Sequence, residues 1–196
     1  KKRKKKQFSR INKKIGSGIV PFSVLLGVDE KVIPELMGEH AIMMRDYELP
    51  ASGSNIIFIS VSPGWDETRA PHGKRCITAT YFLFQNEASK INWEMERENK
   101  TKEMIDNLEQ LIPFISEFID CAYSITPDDY QHMTLRRNGM LRSFSNQSDF
   151  YGFNSPSSKT PVRRLLMVGD EVFPGSGAAH TAKSGIRAAE VILKRI

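Results

Sequence analysis

The residues with the clearest chemical potential lie together near the carboxyl end of the sequence, in the stretch MVGDEVFPGSGAAHTAKSGIRAAE that begins at Met167. The apolar run 165–168 predicts a buried strand, and Gly169 and Asp170 follow it directly. Open α/β sheets bind their ligands at the carboxyl ends of their strands. A carboxylate at this position can accept hydrogen bonds from sugar-like hydroxyl groups, so Asp170 is a candidate ligand contact.

The glycines that follow extend this candidate site. Gly175 and Gly177 have no Cβ atom, so the backbone can come close to a flat or phosphorylated ligand. A predicted helix opens next, and its first N–H groups and positive dipole end favour an oxygen with partial negative charge. A stripe of mostly small residues lets this helix pack closely against a strand or a cofactor: Ala178, Ala182, Gly185, Ala189, Ile192 and Ile196. The alternative is a tight strand-to-helix turn that binds nothing.

Strands are the first elements that would position this site. Runs of β-branched and aromatic residues predict strands at 22–28, 55–61 and 76–84, and residues 41–47 are a weaker candidate. The segment SPGWDETRAPHGKR is rich in turn residues, so the strands on either side of it are predicted to be antiparallel neighbours. Strand 76–84 is largely apolar on both faces. It is therefore predicted to be central and covered on both sides.

The period of the apolar residues then changes to three and four. Residues 92–112 predict a long amphipathic helix with acidic residues in its first turns. Pro113 is predicted to end this helix and to open a second short helix through Cys121. Thr126 is predicted to cap a further helix, with Pro127 at its first position. Residues 136–160 predict an ordered but irregular connection.

The composition is that of an ordinary globular protein, with 40% hydrophobic and 26% charged residues in 196. No apolar run approaches the roughly 20 residues of a membrane-spanning helix. Residues 1–14 hold nine of the 28 basic residues, which leaves 19 basic against 23 acidic residues elsewhere. Nucleic-acid binding is therefore not expected. KKRKKK is read as a solvated chain end, with a nuclear address or a lipid contact as alternatives.

The cysteines and histidines predict no metal site. Cys76 and Cys121 are far apart in sequence, and the four histidines are scattered. The cysteine usage and the absence of a visible signal peptide predict a reducing compartment. We expect a cytoplasmic protein, with peripheral membrane contact as a further possibility.

The carboxyl-terminal stretch resembles a known signature. LMVGDEVFPGSGAAHTAKSGIRAAEVI is similar to the FAD-binding signature of the phytoene desaturase and carotenoid isomerase family, with Gly-Asp, then Pro-Gly-x-Gly, then Ser-Gly and paired alanines. The segments TPDDY, WDETRAPHGKRCITATYF and FSVLLGVD resemble earlier parts of that family. The resemblance covers nearly the whole chain from about Phe22. It departs at Arg142 and Ser143, where the family tends to have a second glycine and small residues.

The resemblance implies an α/β fold in which a substrate domain with a mixed or antiparallel sheet leads into the strand–turn–helix of a Rossmann-like FAD domain. It predicts a basic lead-in or helix end at 1–21, part of the substrate domain at 22–135 and a return segment at 136–196. The implied FAD contacts are Gly169, Asp170, Gly175, Ser176, Gly177, Ala178 and Ala179. Asp170 would hold flavin hydroxyls, and the backbone from Gly175 to Ala179 would face the isoalloxazine ring. No catalytic side chain is assigned.

The implied function is that of the carboxyl-terminal portion of an FAD-dependent oxidoreductase that acts on a lipophilic polyene or isoprenoid. The amino-terminal GxGxxG unit is expected to be missing, because IGSGIVP has Pro21 in place of the third glycine and leads into a strand. This segment alone is then expected to be inactive. The alternative is a truncated or split non-catalytic chain that binds lipid or pairs with a separate FAD-binding polypeptide.

Overall fold

The structure is a computed structural model that describes residues 15–51, 53–144, 155–175 and 177–194. The chain divides into two compact units, residues 19–141 and residues 1–18 with 142–196. The basic run at the amino terminus, Ser176 and Ile196 lie outside the described residues. The three-part division predicted from the sequence stays a prediction.

An antiparallel sheet forms the centre of the unit 19–141, and its strands lie in the order β2-β3-β4-β1-β5. These strands are β1 (Ile15–Asp29), β2 (His40–Met44), β3 (Ile56–Val61), β4 (Lys74–Phe84) and β5 (Ile119–Ile125). A short strand, β6 (Arg142–Phe144), pairs with β1. The strands predicted at 22–28, 41–47, 55–61 and 76–84 are confirmed, and so is the α/β fold class. β3 and β4 are antiparallel neighbours, as their long connecting turn predicts.

One face of this sheet, which we call the buried face, forms the core of the unit. Its side chains alternate along each strand as a period of two requires, and they include Val20, Phe22, Val24, Leu26, Ile57, Ile59, Ile77 and Ala79. The Phe22 ring stacks on Trp93 with 5.5 Å between ring centroids and lies 5.3 Å from the Tyr81 ring. These aromatic contacts hold the start of the long helix against β1 and β4.

The helices of this unit are α1 (Gln85–Ala88), α2 (Trp93–Glu109) and α3 (Pro127–Thr134). The predicted long helix is α2, and the Asn92 side chain caps it by accepting a hydrogen bond from the Met95 N–H. Met104 and Leu108 are buried against the sheet. Arg45, one residue beyond β2, forms an ion pair of 2.7 Å with Glu103 of α2. The helix therefore covers the buried face.

The predicted short helix from Pro113 through Cys121 is wrong. The chain forms a single 3-10 turn at Ile115–Phe118 and then enters β5, which pairs with β1 from Ser23 to Val28. Local sequence did not reveal this strand, because its residues are mostly exposed and show no clear alternation. The ladder of hydrogen bonds offered by β1 decides the conformation, as sheet context commonly overrides local propensity.

The cap predicted at Thr126 is confirmed as a complete capping box at the start of α3. The Asp129 carboxylate accepts hydrogen bonds of 2.8 Å from both the backbone N–H and the hydroxyl of Thr126. It also pairs with Arg97 at 2.8 Å. Burial alone raises the pKa of Asp129, but the hydrogen bonds from Thr126 and the contact with Arg97 outweigh it and hold this pKa below its usual range.

We expect Asp129→Asn to make stability less dependent on pH. A lowered pKa in the folded state gives stability that is present above the unfolded pKa of about 4 and is lost as pH falls through the folded pKa. The variant should therefore be less stable than the wild type at neutral pH, and the gap should close in acid. Urea unfolding of both proteins at a series of pH values measures this difference in stability. A gap that stays constant with pH contradicts the assignment. As a reference, Thr126→Ala should lower the free energy of unfolding by about 1 kcal/mol at neutral pH.

Candidate functional site

The glycine turn predicted to face a ligand has the backbone conformation that only glycine adopts readily. Gly169, Gly175 and Gly177 have φ values of +133°, +126° and +93°. A Cβ atom added to any of the three would meet no other atom within 4 Å. The backbone of this turn therefore borders open space that a side chain would fill. Asp170 lies directly beyond the first of these glycines and is partly buried.

The helix that follows, α4 (Ala178–Leu193), begins at this turn as predicted. Its N-cap residue is Gly177, so no side chain caps the helix, and its first turn contains no acidic residue. The first N–H groups of an α-helix have no partner within the helix. The N–H groups of Ala178 and Ala179 therefore lie at the positive end of the helix dipole. No carboxylate of the first turn neutralises this end.

A buried serine ties the helix to the turn. Ser184 is fully buried, and its Oγ atom accepts a hydrogen bond of 3.0 Å from the Gly169 N–H. The same oxygen lies 3.1 Å from the Gly169 carbonyl oxygen and 2.8 Å from that of Thr181, and its single proton can go to either. Ser184 therefore fixes the position of Gly169, and with it the start of the turn, against the middle of α4.

One prediction about this unit is wrong. The run 165–168 is not a buried strand, since Leu165 and Val168 are 48% and 58% exposed and only an isolated bridge joins Leu166 to Lys159. A strand is buried only when neighbouring strands and a layer of side chains cover it, and the described residues of this unit supply neither.

The small-residue stripe of α4 is predicted to lie close against a strand or a cofactor, and the structure tests only the contact with a strand. Ala178, Ala182 and Ala189 are exposed, and the residues that α4 buries are Ser184 and Ala188. The helix therefore packs on the face that holds Ser184. Its stripe of small residues lies open among the described residues.

A cavity of about 440 Å³ lies beside the turn within the same unit. This volume falls in the range of small-molecule sites. Arg187 of α4 lies over the Phe173 ring, with its guanidinium carbon 4.6 Å from the ring centroid. Further lining residues are Ser155, Ser157, Ser158, Lys159, Glu190 and Val191. Hydroxyl, cationic, acidic and apolar groups thus line the cavity, on a side of α4 that the sequence did not single out.

The sheet of the other unit presents a second candidate surface, the open face, which lies opposite the buried face. One row of directly paired residues crosses all five strands on this face: Ile42, Phe58, Thr80, Ser23 and Ile125. Phe58 and Phe82 meet edge to face with 5.4 Å between ring centroids. Ile42 and Phe58 are 68% and 42% exposed. On β4 itself Thr78, Thr80 and Phe82 of this face are half-buried, so the prediction that both sides of β4 are covered holds only in part.

The open face also brings together two cysteines that the sequence separates. Cys76 and Cys121 pair with the two sides of Gly27, so all three lie in one row on this face. A Cβ atom added at Gly27 would lie 2.7 Å from the Cys121 Sγ atom. Gly27 is thus the small residue that makes room for this thiol. Among the described ranges, no group of three or more His, Cys, Asp or Glu side chains is placed to bind a metal.

The fold and these surfaces describe an α/β protein with a glycine-lined cradle at a helix N-terminus and, in its other unit, a broad apolar sheet face. No protein-family model matches the chain. It is 27% identical to the prolycopene isomerase of Daucus carota over 85% of this chain and 28% of that protein. It is 25% identical to the prolycopene isomerase of Arabidopsis thaliana over 85% of this chain and 29% of that protein.

A third relative, prolycopene isomerase 1 of an Oncidium hybrid cultivar, is 27% identical over 94% of this chain and 32% of its own length. The chain therefore spans about a third or less of the length of the curated relatives it matches. These similarities confirm the resemblance to the phytoene desaturase and carotenoid isomerase family that the glycine signature predicts.

Proposed function

We propose that this chain provides the flavin-ring contact and a lipophilic substrate surface of an FAD-dependent enzyme that acts on a carotenoid. The relatives are prolycopene isomerases, so isomerisation of a polyene is the reaction we propose. The carrying observation is the turn at the start of α4, where three glycines of positive φ border open space beside an uncapped helix end. Bound FAD would supply hydride or electron transfer.

The residues of the turn fit this cofactor in shape and in charge. Gly175 and Gly177 let the backbone approach a flat ring system without a side chain between them. The first N–H groups of α4 favour negative charge, which a reduced flavin ring carries. Asp170 can accept hydrogen bonds from the hydroxyl groups of the cofactor, and Ser184 holds the adjacent Gly169 in place.

The open face of the sheet fits the proposed substrate. Isoleucine and phenylalanine side chains on this face expose apolar surface, and large exposed apolar patches mark ligand or protein contacts. A polyene or isoprenoid offers few polar groups, so burial of its apolar surface must supply most of its binding free energy. The part of the chain that the structure describes contains no helix long and apolar enough to cross a membrane. We propose peripheral membrane contact for the uptake of such a substrate.

The proposed FAD site includes a dinucleotide-binding half beyond the matched region, present in the same polypeptide or in a partner. The match with the relatives leaves more than two thirds of their length outside it. This chain would then orient the ring and exclude water, while the other half binds the diphosphate. Intact mass and flavin content of the polypeptide purified from its source test this arrangement. A 22.3 kDa chain that carries no flavin and co-purifies with no flavin-binding partner contradicts it.

A pair of glycine variants tests the cradle itself. We expect Gly177→Ala to weaken FAD binding by about tenfold or more, because the added methyl group enters the space that the ring would occupy. Gly73→Ala is the matched control, since Gly73 also has a positive φ and open space around an added Cβ but lies in a turn of the other unit. FAD titration followed by flavin fluorescence measures both. Equal effects of the two variants contradict a flavin contact at Gly177.

A further inference from the structure

Two hydroxyl groups of the open face, on Ser23 and Thr80, form a cluster with the hydroxyl group of Tyr130 from α3. The Ser23 Oγ atom lies 2.7 Å from Thr80 Oγ1 and 3.0 Å from the Tyr130 hydroxyl oxygen. Phe58 pairs with Thr80 on one side of this group, and Ile125 pairs with Ser23 on the other. Ser23 and Thr80 therefore lie inside the apolar row.

The cluster has more O–H protons than it has hydrogen bonds between its own oxygen atoms. Three hydroxyl groups carry three protons, and they share two hydrogen bonds, each of which uses one proton. One O–H donor is left over in every arrangement, and among the described residues it has no other partner. Ser23 is 1% exposed, so an unused proton there would be buried without an acceptor, which is unfavourable. The spare donor thus lies on Thr80 or Tyr130, which are both half-buried.

The spare O–H donor favours a ligand that offers it an acceptor atom when the ligand covers the open face. Water satisfies the donor while the face is exposed, but an apolar ligand displaces that water. A pure hydrocarbon leaves the donor without an acceptor, and a buried unsatisfied donor weakens binding. A ligand with a hydroxyl, carbonyl or ether oxygen at this point restores the hydrogen bond. The same arithmetic explains why removing any single hydroxyl of the cluster does not abolish the donor.

We propose that the open face selects a polyene or isoprenoid that carries an acceptor oxygen over the matching hydrocarbon, and that Ser23, Thr80 and Tyr130 are its specificity-determining residues. The inference rests on the proposed function, because it takes the lipophilic ligand of that function as the occupant of the open face. It goes further in naming the chemical class of that ligand as an oxygen-bearing isoprenoid.

Two small probes and one variant test the inference in the full-length chain. The probes are geranyl methyl ether, whose oxygen accepts but cannot donate, and the hydrocarbon in which hydrogen replaces its methoxy group. The variant combines Ser23→Ala, Thr80→Val and Tyr130→Phe, which removes all three hydroxyls with little change of shape and leaves none of them unpaired. Calorimetric titration gives the two dissociation constants in each protein. We expect the preference for the ether to fall by about tenfold in the variant.

The possible outcomes separate this inference from the proposed function. An unchanged ratio of the two dissociation constants overturns the inference, while binding of the hydrocarbon still supports a lipophilic site. The absence of saturable binding of both probes overturns the proposed function and the inference with it. A second measurement needs no variant: the carbonyl stretch of geranyl acetate bound to the wild type should be lower than in an alkane solvent. An unshifted stretch overturns the inference.

Discussion

Replacing Phe22 by alanine is expected to lower the free energy of unfolding by about 3–5 kcal/mol, the usual range for a large aromatic residue in a core. Phe22 is fully buried at the centre of β1, and its ring contacts the rings of both Tyr81 and Trp93. The truncation would therefore leave a cavity between the sheet and α2, and it would remove two aromatic contacts at once. Urea unfolding followed by circular dichroism measures the loss.

Phe58→Ala is the matched control for this prediction. The two residues are of the same type and both lie on central strands, but Phe58 is on the open face and is 42% exposed. We expect its truncation to cost about 1 kcal/mol or less, because little apolar surface is returned to water and no closed cavity forms. A loss at Phe58 that equals the loss at Phe22 would mean that the open face is covered in the folded protein.

Gly139→Ala is the second substitution with a large expected effect. Gly139 has a φ of +66°, and a Cβ atom added there would lie 2.1 Å from the carbonyl oxygen of Pro127 and 2.8 Å from its carbonyl carbon. These are backbone atoms at the first turn of α3, so the clash cannot be relieved by rotating a side chain. We expect a loss of about 2–5 kcal/mol, which adds the strain of the left-handed conformation to that of overpacking.

The contribution of overpacking can be isolated with Gly73→Ala. Gly73 has a φ of +75° but nothing within 4 Å of an added Cβ, so that variant reports the conformational strain alone. We expect it to lose about 1–2 kcal/mol. The difference between the two variants in thermal or urea unfolding then measures how tightly the turn at Gly139 packs on α3. Equal losses would refute the close approach of Gly139 to Pro127.

Local signals were sufficient wherever a segment's conformation depends on its own residues. Thr126 and Pro127 predicted the start of α3, because a capping hydroxyl and a proline without an N–H group suit the first turn of a helix. The acidic residues after Asn92 predicted α2, because they suit the first turns of a helix and apolar residues recur three and four positions apart behind them. The glycines of the candidate cradle were also identified correctly as a turn before a helix, since no other residue readily takes the φ values observed there.

The sequence by itself thus determined the strands β1 to β4, the capped helices and the glycine turn. Apolar alternation, helix capping and positive φ angles all depend on residues that are close together in the sequence. Only the tertiary structure decided that residues 119–125 form β5, since that strand depends on pairing with β1. It also decided the contact of Ser184 with Gly169 and the hydroxyl cluster around Ser23. Thr80 and Tyr130 lie 57 and 107 positions after Ser23 in the sequence. They meet Ser23 only because β1 pairs with β4 in one register and α3 packs beside them.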